Sequence, residues 1–187
     1  MNGKQYAAGI LKELERTLGQ IDNEEMQVMA EHILQSEKVF VAGAGRSGLM
    51  GKAFAMRLMH MGIQAYAAGE AVTPGIGPKD LLLLCSGSGE TGSMILMAKK
   101  AAGMGARIGL MTIKPDSTIG KMANATIRIP ASAKEEAASS GAAVTIQPMG
   151  SLFEQGLLLG LDALVLMLME KKSITGSDMF GRHANLE

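Results

Sequence analysis

Apolar positions recur along this chain in two different periods. Over roughly the first 36 residues the spacing is three or four: Ile10, Leu11, Leu14 and Leu18 mark one helix, and Met26, Met29, Ile33 and Leu34 a second. The second is entered through Asp22 or Asn23, with Glu24 and Glu25 in its first turn. From Lys38 the pattern changes to short β-rich runs: KVFVA (38–42), QAYAA (64–68), DLLLLC (80–85), ARIGLMT (106–112) and TIRI (126–129). The first, third and fourth are nearly continuous apolar stretches, as expected of parallel strands covered on both faces. Helical segments are predicted from about Ser47 to Met61, Thr91 to Met104 and Ser117 to Met122, and a long one over Ser151 to Lys172. That order predicts an α/β fold, a three-layer α/β/α sandwich around a mostly parallel five-stranded sheet of the flavodoxin-like kind, preceded by two N-terminal helices.

No repeat or second domain interrupts the pattern, so 1–187 reads as a single domain: helices over 1–36, an α/β core over 37–172 and a tail over 173–187. KEEAASSG (134–141) reads as a surface loop. The last long helix is apolar on most sides, more than one sheet can cover, which predicts association into a homo-oligomer, a dimer or tetramer. Its stretch GLLLGLDALVLMLM (156–169) is short for a membrane span and contains Asp162, so it reads as a helix buried by protein.

Composition narrows the interior and the partners. Only 3% of residues are aromatic, and sixteen methionines join Ala, Leu, Ile and Val as core filler. Eighteen basic residues balance eighteen acidic ones with no basic run, which argues against nucleic acid and for a small-molecule partner. The single cysteine, Cys85, excludes an internal disulfide and reads as a buried, inert thiol. The charged start MNGKQYAAGILKELER has no secretory core, which predicts a cytoplasmic protein.

Two loops carry the candidate chemistry: GAGRSG (43–48) and SGSGET (86–91). Each leads from a buried strand into a helix, so unpaired backbone N–H groups at the helix start favour an anion such as phosphate. Glycines let backbone approach closely, and Ser47, Ser86, Ser88 and Thr91 add hydroxyls. The plain alternative is a pair of ordinary turns with Ser or Thr as N-caps. A further alternative is a dinucleotide site, because GAGRSG fits G-x-G-x-x-G and Glu70 stands near the place of a ribose-binding acid. A second hydroxyl-rich loop weighs against it. No His/Asp/Glu cluster has metal-ligand spacing, so no metal and no cofactor are predicted.

GAGRSG followed after a further strand by SGSGET resembles the sugar isomerase (SIS) domain, a family that binds phosphosugars. VAGAGRSGLMGKAFAMRLMHMG (41–62), GEAVTPGIGPKDLLLLCSGSGET (69–91), QPMGSLFEQ (147–155) and DMFGRHANLE (178–187) resemble its 6-phospho-3-hexuloisomerase branch along nearly the full chain. The resemblance implies interconversion of D-arabino-hex-3-ulose 6-phosphate and fructose 6-phosphate through an enediolate, in formaldehyde fixation by the ribulose monophosphate pathway. It implies phosphosugar binding by Ser47, Ser86, Gly87, Ser88, Gly89, Glu90 and Thr91, and proton transfer by Glu154, with Leu152 and Phe153 as apolar surroundings. An acid in a first helical turn is also favoured by the helix dipole alone. A 3-ketose phosphorylated on C6 lacks the hydroxyl that would close a five-membered ring, so only the fructose phosphate side needs ring opening. His60 and His183 are candidates to assist there, His60 only across a subunit interface. Arg46, Glu70 and Thr73 are further ligand candidates, while His32 reads as surface or packing. A regulatory module binding a phosphosugar without turnover, and an arabinose 5-phosphate isomerase, remain alternatives.

Overall fold

In the computed structural model, residues 2–131 and 145–186 are described. The loop expected over 134–141 lies outside the described residues. The elements are α1 (Gly3–Leu18), α2 (Asn23–Leu34), β1 (Val39–Gly43), α3 (Gly45–His60), β2 (Ala65–Ala67), β3 (Leu81–Cys85), α4 (Gly92–Gly103), β4 (Arg107–Thr112), β5 (Ala125–Arg128), α5 (Ser151–Lys172) and α6 (Gly176–Phe180). The five strands run parallel in the order β2-β1-β3-β4-β5. Every predicted strand is present within one residue at either end.

One expectation needs correction. The segment predicted as a short helix over Ser117–Met122 forms only a 3₁₀ turn at Gly120–Met122. Gly120 packs against the Pro115 carbonyl, where a β-carbon has no room, and the chain closes i→i+3 bonds such as Met122 N–H to the Ile119 carbonyl at 2.9 Å. The tail contains α6, started by a capping box between Thr175 and Asp178.

Strand alternation divides the interior in two. Val39, Val41, Leu81, Leu83, Cys85, Met111 and Ile127 face a core shared with α2, α3 and α5. Phe40, Ala42, Leu82, Leu84, Ile108 and Leu110 face the opposite way, against Met94, Ala98 and Ala101 of α4. β3 is central and buried on both faces throughout, which is why its sequence reads as an unbroken apolar run. Truncating one of its leucines to alanine is expected to cost about 2–5 kcal/mol.

α5 is about 33 Å long by its 22 residues. Leu157, Leu161, Leu164 and Leu168 fill the larger core, while Leu159 and Leu166 point outward. Its entry is fixed from α1. Glu13 accepts hydrogen bonds from Thr145 Oγ1 at 2.7 Å, Ile146 N–H at 2.8 Å and Gln147 Nε2 at 2.9 Å. Burial opposes the charge on Glu13, but these donors outweigh it and hold the carboxyl below its ordinary range. The strand order reverses between β1 and β3, so the crevice above their carboxyl ends is where such a sheet accepts a ligand.

Candidate functional site

Both glycine-serine loops stand at that crevice, because β1 and β3 pair along their whole length, Gly43 beside Cys85. The first loop turns within a tight space: a β-carbon on Gly48 would collide with the Gly43 carbonyl, so α3 starts directly over the end of β1. The second loop is held from outside. Ile113 N–H and Thr112 Oγ1 donate to the Gly87 carbonyl at 3.0 and 3.1 Å, and Gly89 N–H reaches Ser86 Oγ at 3.2 Å. Gly89 has φ +62°, and a β-carbon there would strike Ser117.

The loops border a cavity of about 240 Å³. Ser47 lines it from the first loop and Ser86, Gly87, Ser88 and Thr91 from the second. Phe153 and Glu154 enter from the first turn of α5, and Ile113 and Lys114 from the segment after β4. Three helix N-termini therefore converge, those of α3, α4 and α5, and none has a side chain capping its backbone N–H groups. The ordinary-cap reading of these turns is thus not what the structure contains: Thr91 occupies the N-cap position of α4 without making the bond. Uncapped N–H groups together with the positive ends of three helix dipoles suit an anion.

Glu154 is buried, with 8% of its side chain exposed, and its Oε2 lies 2.6 Å from Arg46 Nε. Arg46 had been a candidate phosphate partner; it is paired with the carboxylate. Glu90 turns away from the cavity and accepts a hydrogen bond from Thr118 N–H at 2.6 Å, a contact that holds its carboxyl below the ordinary range. Glu90 thereby ties the second loop to the 114–120 segment. Gly89 belongs to the loop framework and not to the cavity lining.

The other candidates lie elsewhere. Glu70 is exposed and paired with Lys52, and Thr73 Oγ1 donates to the Ala67 carbonyl at 2.8 Å. His60, the last residue of α3, stacks on His183 with ring centroids 5.2 Å apart, at the end of α3 remote from the loops. Within one chain neither ring lines the cavity. Burial lowers the proton affinity of His60, with the charges of His183 and Arg57 acting the same way. His32 is half-buried, its proton affinity lowered by burial and by Arg107. Cys85 forms part of the cavity floor, and burial pushes its thiol up to about 12, which makes it an inert wall and no nucleophile. No group of three His, Cys, Asp or Glu able to hold a metal occurs among the described residues.

Sequence reading missed Ile113 and Lys114. The signal available was position: they directly follow β4, at the same carboxyl edge as both loops. Lys114 adds a cation to a lining of N–H groups, hydroxyls, apolar side chains and the Glu154 carboxylate.

A family model, "SIS domain", matches residues 32–159. The chain is 52% identical to the 3-hexulose-6-phosphate isomerase of Bacillus subtilis (strain 168) over 187 residues, all of both chains. It is 42% identical to the 3-hexulose-6-phosphate isomerase of Mycobacterium gastri, over 94% of this chain and 86% of that one. A solved structure from Methanococcus jannaschii, for which a 3-hexulose-6-phosphate isomerase function was inferred, superposes with a TM-score of 0.82 at 29% identity, covering 98% of this chain and 99% of that one. The crevice between β1 and β3, its two glycine-serine loops and these full-length similarities agree: the chain belongs to the SIS domain family.

Proposed function

We propose that this chain is the isomerase that interconverts D-arabino-hex-3-ulose 6-phosphate and fructose 6-phosphate, the step by which fixed formaldehyde enters ordinary sugar phosphates in the ribulose monophosphate pathway. The observation that carries the reading is Glu154. It is the one carboxylate lining the cavity among the described residues, and every other approach to that cavity is made of N–H groups, hydroxyls, apolar walls or Lys114. The phosphate binds the uncapped starts of α3 and α4 with Ser47, Ser86, Ser88 and Thr91. The sugar then extends toward the start of α5.

Glu154 removes the proton on C2 of the 3-ketose. The electron pair forms the C2–C3 double bond and the C3 carbonyl becomes an enediolate oxygen. The hydroxyl proton on O2 passes to O3, Glu154 returns its proton to C3, and C2 becomes the carbonyl. The balance requires no redox partner. Negative charge grows on the enediolate within the field of three helix N-termini, where fixed dipoles stabilise it without reorganising. Phe153 and Ile113 give the cavity its apolar wall.

The exposed apolar residues Leu49, Met56 and Met59 on α3 and Leu159 and Leu166 on α5 support a homo-oligomer, in which His60 or His183 of one subunit reaches a neighbour's site and assists ring opening. Sedimentation tests this assembly, and a monomer at micromolar concentration would remove the histidines from the site.

Glu154→Gln tests the chemistry. A coupled assay of fructose 6-phosphate formation should lose about 10²–10⁴ in kcat, the range for acid-base groups, while phosphosugar binding persists. Unchanged turnover would remove Glu154 from its role. Wild-type turnover of arabinose 5-phosphate in preference to the hexulose would move the substrate, and binding without turnover of either would make the chain a sensor.

A further inference from the structure

Arg46 has no part in the reaction as drawn, yet among the described residues it makes the one ion pair of Glu154. It belongs to the first turn of α3, with 58% of its side chain exposed, against 8% for Glu154. The pair is asymmetric. The carboxylate has given up most of its hydration, whereas the guanidinium keeps most of its own, so the carboxylate depends on the contact far more than the arginine does.

A guanidinium in this place could serve either of two partners, the phosphate or the carboxylate. Arg46 is not among the residues that line the cavity, and the hydroxyls facing the phosphate loops come from Ser47, Ser86, Ser88 and Thr91. Lys114 is the cation that does line it. Gly48 lies directly over Gly43, where a β-carbon has no room, so the first turn of α3 is set close against the end of β1. The turn that precedes α5 is strained: Met149, just before the N-cap Gly150, has φ +51°, an unfavourable angle for a residue with a side chain.

We propose that Arg46 is a positioning residue, which holds the Glu154 carboxylate in one orientation at the mouth of the cavity and so acts on proton transfer and not on phosphate binding. This rests on the reading of Glu154 as the acid-base group. A neutral side chain at 46 leaves a buried carboxylate without its counter-charge, free to rotate before substrate arrives.

The test compares wild type, Arg46→Gln and Arg46→Lys in two measurements: steady-state isomerisation of 3-hexulose 6-phosphate, and binding of inorganic phosphate followed by its competitive inhibition. Arg46→Gln should lose about tenfold or more in kcat, with KM and the phosphate inhibition constant within about twofold of wild type. Arg46→Lys should recover much of kcat, because a charge is restored without the planar fork. Retained phosphate inhibition also shows that the variants are folded. A phosphate constant weakened tenfold with kcat unchanged would make Arg46 a phosphate ligand and overturn the proposal, as would wild-type kinetics in Arg46→Gln. Absence of turnover in wild type itself would overturn the underlying isomerase reading instead, before any variant is compared.

Discussion

Helices in this chain begin in two ways. α1, α2 and α6 start under a side chain folded back onto backbone N–H groups: Asn2 accepts from Gln5, Asp22 from Glu24 and Glu25, and Thr175 from Asp178. α3, α4 and α5 start with none, although Thr91 stands at the N-cap of one and Ser47 in the first turn of another. The first set lies away from the crevice and the second converges on it. A cap is worth about 1 kcal/mol, so three helices each forgo a stabilisation that the chain uses elsewhere. What they retain is a cluster of unpaired donors, and such donors are useful only to a ligand that brings the acceptor. Local stability and anion binding compete for the same N–H groups, and position relative to the sheet decides which wins.

After the loss expected of Glu154→Gln, the strongest way to break this contrast is to move an uncapped helix. Gly48→Ala places a β-carbon against the Gly43 backbone, which cannot yield, so the start of α3 must shift away from β1. About 1–3 kcal/mol of stability should go with it, as for overpacked sites, together with phosphate inhibition. Urea midpoints and phosphate titrations check both. Wild-type values for the pair would mean that the close approach is incidental.

The fold was readable because its signals are local. Strand alternation, the doubly buried β3 and the acid-rich start of α2 are written in consecutive residues, and so were both loops. Glu154 was readable only through the resemblance carried by MGSLFEQ, since an acid in a first helical turn is common. Three things were not readable. The pairing of Arg46 with Glu154 joins residues 108 positions apart in the sequence, and depends on how α3 and α5 are set against one another. Lys114 is one of many lysines, distinguished only by where β4 ends. The absence of caps is a matter of side-chain rotation, for which Ser47 and Thr91 have the same composition signal whether they cap or wait for a ligand.

Smaller effects sharpen the contrast by separating its two terms. Ser47→Ala should weaken phosphate inhibition about tenfold, the worth of a hydrogen bond to a charged group, while the unfolding free energy from urea titration stays within about 0.5 kcal/mol of wild type. Asp22→Ala should do the reverse, costing about 1 kcal/mol of stability with phosphate inhibition unchanged. If Ser47→Ala destabilised as much as Asp22→Ala, the hydroxyl would be a cap after all, and the division between the two kinds of helix would fail.

The smallest expected effect lies at the other end of α3, where a helix uncapped at its start is packed at its finish. His60 is buried there under His183, and Arg182 Nη1 donates to the His60 carbonyl at 3.2 Å, so this end of α3 holds the tail and α6 in place. Burial, then His183 and Arg57, lower the proton affinity of His60 below its ordinary value of 6.5. The fold therefore favours the neutral ring, and the stability this contributes is complete above about pH 6.5. As pH falls, the unfolded chain takes up the proton first, and that contribution is lost progressively through the lower folded value. Amide protection factors over 174–186, exchange corrected for its intrinsic pH dependence, should fall between pH 7 and 5 in wild type and stay flat in His60→Gln. Such loosening of the tail leaves the phosphate loops untouched, so phosphate inhibition should not follow the same pH course. Equal pH dependence in both proteins would show that the stacked pair does not hold the tail, and that α6 relies on its own capping box and the buried Met179 alone.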